Sequence, residues 1–224
     1  MKGNTVAILF LAMVAWVLPC AAGAQLPPSL ELGFDFEGMG NSMLNSPVIY
    51  SGDIYNGDPL VVGGSWWIRL DDSTWPPESN PQARWDYVFN TYFHYDEGTF
   101  SWTAVFNEMT LPTKPTWEIN HPTNGKMGGT LVVAMQYSDW DMDGVLDVEE
   151  RMFALYSGTL IVMKYGTGVF AGYCGEGSYN GALNNDDPVN WADDFVEGHC
   201  TLLLEDCAIG TRALSWSGIK DIFK

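Results

Sequence analysis

The sequence predicts an all-β chain: an antiparallel sandwich or jelly-roll with a short helix behind an inserted acidic loop. Three observations carry this. Apolar and polar residues alternate with period two in several short runs, the pattern of half-buried strands. Gly, Pro, Asn and Asp bound these runs, and Glu97-Gly98 joins two of them as a hairpin turn. Aromatic residues make up 14% of the chain, as expected where many large side chains fill a core between sheets.

The N-terminus reads as a targeting segment. Lys2 is the only charge before Glu31, and an apolar run extends from Val6 to Leu18. Ala22-Gly23-Ala24 then offers the small residues that a signal peptidase reads. Residues 1–24 are therefore expected to be a signal peptide, cleaved before Gln25 together with Cys20. Residues 25–224 are expected to form a single β-rich domain, secreted or periplasmic. The apolar run is short for a bilayer span and no second long one follows, so no membrane span is expected in the mature chain.

Strands are expected along Val61–Leu70, Tyr87–Tyr95, Thr99–Phe106, Leu131–Tyr137, Thr159–Tyr165 and Thr201–Glu205. In Thr99–Phe106 the residues Phe100, Trp102, Ala104 and Phe106 share one face. In Tyr87–Tyr95 the residues Tyr87, Phe89, Phe93 and Tyr95 do so. Three stretches read as long loops: Asp71–Pro81 and Leu111–Gly129 for their prolines, and Gly175–Trp191 for its Gly, Asn and Asp. Gly129–Tyr137 and Gly158–Tyr165 are similar in sequence, like a duplicated strand.

Between these two similar segments lies Asp139-Trp-Asp-Met-Asp-Gly-Val-Leu-Asp-Val-Glu-Glu150. Its spacing places Asp139, Asp141 and Asp143 at positions 1, 3 and 5 of a twelve-residue loop. Gly144 stands at the sharp turn, the carbonyl of Val145 follows, and Asp147 and Glu150 take positions 9 and 12. Leu146 can anchor the loop to a core. Alternate carboxylates converge on one point only when the backbone wraps around it, and a large, hard cation such as calcium takes six to eight such oxygens.

The stretch resembles the EF-hand loop and, equally, the Asp-rich calcium loops of dockerins. The resemblance covers these twelve residues and implies Ca²⁺ as the bound cation. The entering segment is β-like rather than helical. The expected order is strand, calcium loop, a short helix over Val148–Tyr156, then strand.

The chain carries 28 acidic and 10 basic residues, a formal charge of −18. This excludes nucleic acid as a partner, which needs a basic surface, and favours solubility and cation binding. Cys200 and Cys207 flank a strand-like run and are too far apart along it to bridge. Cys174 is therefore expected to pair with Cys200 or Cys207, leaving one thiol, unless all three are reduced and buried. Trp66 shares a face with Ile68 and Leu70 and belongs to the core. Trp67, beside Arg69, and Trp75, in the Pro-rich loop, are the candidates for exposed rings that stack on a glycan.

His94, His121 and His199 have no metal-ligand spacing, and no nucleophile, phosphate-loop or zinc motif is present. No catalytic residue is assigned. The expected function is calcium-ion binding in a structural or surface interaction module. A carbohydrate-binding module using Trp67 or Trp75, or a secreted glycoside hydrolase, stands as the alternative.

Overall fold

The computed structural model describes residues 27–40, 47–70, 80–187 and 192–207. The expected signal peptide and Trp75 lie outside these residues. Ten antiparallel strands form one sheet: β1 (Ser29–Gly40), β2 (Val48–Gly57), β3 (Ser65–Leu70), β4 (Phe93–Asp96), β5 (Ser101–Phe106), β6 (Thr116–His121), β7 (Gly125–Ser138), β8 (Phe153–Met163), β9 (Tyr173–Asp187) and β10 (Ala192–Asp206). A helix, α1 (Pro81–Tyr92), precedes β4.

The antiparallel β-class is as expected, but the sandwich or jelly-roll is not. Pairing of β7 with β8 closes the sheet on itself as an eight-stranded up-and-down barrel of β1, β2, β3 and β6 to β10. Alternation marks one buried face in either architecture and so cannot reveal closure. The unit α1–β4–β5 is inserted between β3 and β6. β5 pairs along Val133–Ser138 of β7, on the edge that β6 occupies along Gly125–Thr130.

Alternate residues fill the interior, among them Phe34, Phe36, Tyr50, Ile54, Trp66, Trp117, Met135, Tyr156, Tyr179 and Leu202, all buried. Two apolar cavities inside measure about 40 and about 30 Å³, so the interior is a packed core. Two of its aromatic side chains donate to backbone carbonyls. Trp66 donates to the Glu37 carbonyl at 3.0 Å, and the Tyr156 hydroxyl donates to that of Glu197 at 2.7 Å.

Three expected elements are corrected. Tyr87–Tyr95 is not one strand, because the helix runs to Tyr92 and only Phe93–Asp96 is extended. The Asn80 side chain accepts the Ala83 N–H at 3.2 Å and Pro81 occupies the first turn, a start signal with its own physical cause. Trp85, Val88 and Tyr92 then bury one helical face.

Leu111–Gly129 holds the β6–β7 hairpin, its prolines standing just outside β6. Gly175–Trp191 is mostly β9. Its glycines lie where the wall closes tightly. A Cβ on Gly175 would stand 1.9 Å from the Leu203 carbonyl oxygen, and one on Gly181 2.0 Å from that of Glu197 and 2.3 Å from the Tyr156 hydroxyl.

The two similar segments, Gly129–Tyr137 and Gly158–Tyr165, lie largely in the neighbouring strands β7 and β8. Each glycine faces the other strand's backbone at comparable range. Cys174 bridges Cys207, with Cα atoms 5.8 Å apart, and Cys200 is a buried free thiol. Burial pushes the Cys200 thiol up to about 12.

Candidate metal centre

The acidic loop joins β7 to β8 at the end of the barrel that carries the α1–β4–β5 insertion. Asp139 follows directly on β7, and its N–H donates to the Phe100 carbonyl in the β4–β5 turn at 2.9 Å. The backbone then coils through local bonds. Asp141 accepts from the Asp143 N–H at 3.2 Å, and Asp143 from the Val145 N–H at 2.7 Å. Gly144 has φ +78°, the left-handed turn that its position requires.

One carboxylate oxygen from each of Asp139, Asp141 and Asp143 lies within 4.8 Å of the others. Asp141 and Asp143 are exposed, whereas Asp139 is only 3% exposed. Its Oδ2 accepts from the Tyr95 hydroxyl at 2.5 Å and from the Gly144 N–H at 2.9 Å. Its Oδ1 is buried and has no hydrogen-bond partner within the protein. A buried carboxylate oxygen without a partner carries a desolvation cost that a cation would offset.

The electrostatics divide the three carboxylates. The Tyr95 hydroxyl, aided by the N–H groups of Gly144, Met142 and Asp143, holds Asp139 below the usual aspartate range against the effect of burial. At Asp141 the Asp143 N–H pulls downward. Burial and the charges of Asp143, Asp139 and Glu150 outweigh it, and the carboxyl is raised. The hydrogen bond to Asp139 pushes the Tyr95 hydroxyl up to about 12. Asp139 is thus the fixed anion of the cluster, while Asp141 bears its mutual repulsion.

The remaining residues expected at the site are placed differently. Glu150 is buried and spans the loop: Oε1 accepts the Trp140 N–H at 2.5 Å and Oε2 the Asp147 N–H at 3.0 Å. Glu150 thus ties the two ends of the loop together and stands outside the three-carboxylate cluster. Asp147 is exposed and its carboxylate is also outside the cluster, and Val145, expected to offer its carbonyl, is exposed. The expected helix over Val148–Tyr156 is a single 3₁₀ turn, Glu150–Met152, because β8 begins at Phe153. Strand pairing with β7 and β9 overrides the helical pattern there.

Leu146 is buried and anchors the loop, as the pattern indicated. Two further contacts fix it. The Arg151 guanidinium donates twice to the Leu146 carbonyl, at 3.1 and 3.0 Å, and lies 4.8 Å from the Trp85 ring of α1. Tyr95, itself 5.0 Å from the Trp102 ring, reaches the loop from β4. Neither Tyr95 nor Arg151 announced this role in sequence.

Trp67 is half-buried, between Ser51 of β2 and Glu118 of β6 in register, and stands apart from the acidic loop. No helix among the described residues is long and apolar enough to cross a membrane. No protein-family model, curated protein or solved structure matches the chain.

Proposed function

We propose that the chain is an exported calcium-binding protein in which the ion fastens the 139–150 loop to the barrel. The observation that carries this reading is the buried, unpartnered Oδ1 of Asp139 beside the converging carboxylates of Asp141 and Asp143. The donors are all hard oxygens, the set that suits calcium rather than zinc or copper. Two oxygens on opposite sides of calcium stand about 4.6–5.2 Å apart, twice the metal–oxygen distance, and the cluster is no wider than that. Magnesium needs a tighter and more regular shell and competes poorly. The Val145 carbonyl, Asp147 and Glu150 complete the proposed ligand set. Glu150 can join it only by giving up its bonds to the loop's N–H groups.

Support for export is the apolar N-terminal run with its Ala-Gly-Ala site. The role that fits is a structural one: calcium relieves the crowding of six acidic residues within the loop. Titration calorimetry of chelator-stripped protein tests the reading, with terbium luminescence as a second measurement. One site per chain is expected, with Kd of about 10⁻⁴–10⁻³ M, lost in Asp139→Asn. Silence of both measurements at millimolar ion would end it.

A further inference from the structure

The outer wall of the barrel carries a trough of about 880 Å³, within the size range of ligand-holding clefts. It crosses the strands from β5 to β2 and touches none of the loop residues 139–150. Its origin lies in the interior. In the cross-strand row Tyr156–Gly181–Gly198–Phe36, both central positions are glycine. A Cβ on either would strike the Tyr156 hydroxyl. The backbone of β9 and β10 therefore lies close over the tyrosine, and the trough lies on the other face of the same strands.

Two rows of outward side chains border the hollow. One runs Ser157–Asn180–His199–Asp35–Asn56 across β8, β9, β10, β1 and β2. The other includes Gln136, Leu155, Ala182 and Glu197. Asp35 and His199 are preset: their side chains meet at 2.7 Å, and Asn56 donates to the second Asp35 oxygen at 2.6 Å. At one end the register shifts and Tyr55 is an extra residue in β2, itself 54% exposed.

The chemistry of this lining is selective. No Lys or Arg is among the residues that line the trough, while Asp35 and Glu197 are, so it is poorly suited to a phosphate or other anion. Amides, hydroxyls and carboxylates on adjacent strands offer both donors and acceptors at close spacing, which suits a ligand with neighbouring hydroxyl groups. Tyr55 and Leu155, which is 52% exposed, offer apolar surface for C–H faces. A sugar chain alternates these two kinds of surface. We propose that this trough is a binding site for a neutral oligosaccharide, with Asn180 and the Asp35–His199 pair gripping hydroxyls and Tyr55 stacking on a ring. The glycan-binding surface thus lies on β8, β9, β10, β1 and β2 rather than at Trp67.

The inference is independent of the cation site, and its test separates the two. The purified chain is run in native gels containing hydroxyethyl cellulose, xylan, galactomannan or laminarin, each with calcium and with chelator. Retardation by at least one polysaccharide is expected. Titration with the hexasaccharide of the same linkage should show affinity at least tenfold weaker in Tyr55→Ala and in Asn180→Ala. Trp67→Ala should bind as the parent does. The two trough positions are exposed, so circular dichroism should show both variants folded.

No retardation by any of the four polysaccharides overturns the proposal. So does retardation that survives both trough variants. A basic peptide such as oligolysine is the rival ligand, since Glu197, Glu37 and Asp53 form an acidic cross-strand row at the Tyr55 end. Oligolysine binding lost in Tyr55→Ala, with no polysaccharide bound, would overturn the glycan assignment in favour of a cationic partner.

Discussion

Glu150 separates two roles that sequence position merges. As the twelfth residue of the loop it is a cation ligand. In the structure it is also a staple, one oxygen on the Trp140 N–H and the other on the Asp147 N–H, in a side chain only 4% exposed. Glu150→Gln keeps the shape but turns one acceptor into an NH₂ group facing an N–H. Losing a buried bond to a charged acceptor costs about 1.5–3 kcal/mol. For a domain of roughly 200 residues, each kcal/mol moves Tm by about 2–4 °C. Glu150→Gln should therefore melt about 3–12 °C below the parent even in chelator, where no cation contributes.

Asp141→Asn is the contrasting change. Asp141 is exposed and crowded by Asp143, Asp139 and Glu150. Its substitution should leave the chelator melt unchanged or slightly higher and remove the calcium-dependent rise. Glu149→Gln, exposed and outside the expected ligand positions, should change neither. Differential scanning calorimetry of the four proteins, with 5 mM chelator and with about 10 mM calcium, covering the range expected for the site, decides. A Glu150→Gln variant that matches the parent in chelator would refute the staple.

Three further outcomes are expected. Leu146→Ala should destabilise the fold by about 2–5 kcal/mol and weaken calcium binding, since the same side chain anchors loop to core. Chemical denaturation and calorimetry check this, and unchanged affinity would show that loop and core are uncoupled. Cys200, buried with its thiol raised to about 12, should ignore Ellman's reagent at pH 8 and react as one thiol after unfolding without reductant. In protein expressed without residues 1–24, and so without Cys20, more than one thiol per chain would contradict the Cys174–Cys207 bridge. The hydrogen bonds from His199 and then Asn56 hold Asp35 below the ordinary aspartate value of 3.8. A depressed carboxyl stabilises the fold above its unfolded pKa and loses that contribution as pH falls through its folded pKa. Acid melts of Asp35→Asn should therefore be less steep than the parent's below about pH 3.8.

What was legible in the sequence was local. The runs Thr99–Phe106, Leu131–Tyr137 and Thr159–Tyr165 declare strands because alternation is written within a few residues. The three converging aspartates and Gly144 are legible for the same reason: loop geometry depends on spacing alone. What failed depends on distant partners. Gly175, Gly177 and Gly181 look like loop residues until strands at either side give them a reason to lack a Cβ. The bond from Tyr95 to Asp139 spans 44 residues, so nothing near either residue reports it. The Asn80-Pro81 helix start was readable, but the aromatic alternation after it was the louder pattern. Barrel closure has no local mark at all.

That closure governs how the chain can fold. The seam between β1 and β10 pairs Ser29 with Glu205, so the first and last described strands lie side by side. A growing chain cannot complete the cylinder until β10, the last described strand, is available. Until then β1 waits with one edge bare, and non-local pairing of this kind is slow. A truncation ahead of β10 would yield no smaller barrel, but an open sheet with two long edges inviting other chains. Those edges, β1 and β9, are joined through β10, the last of the described strands.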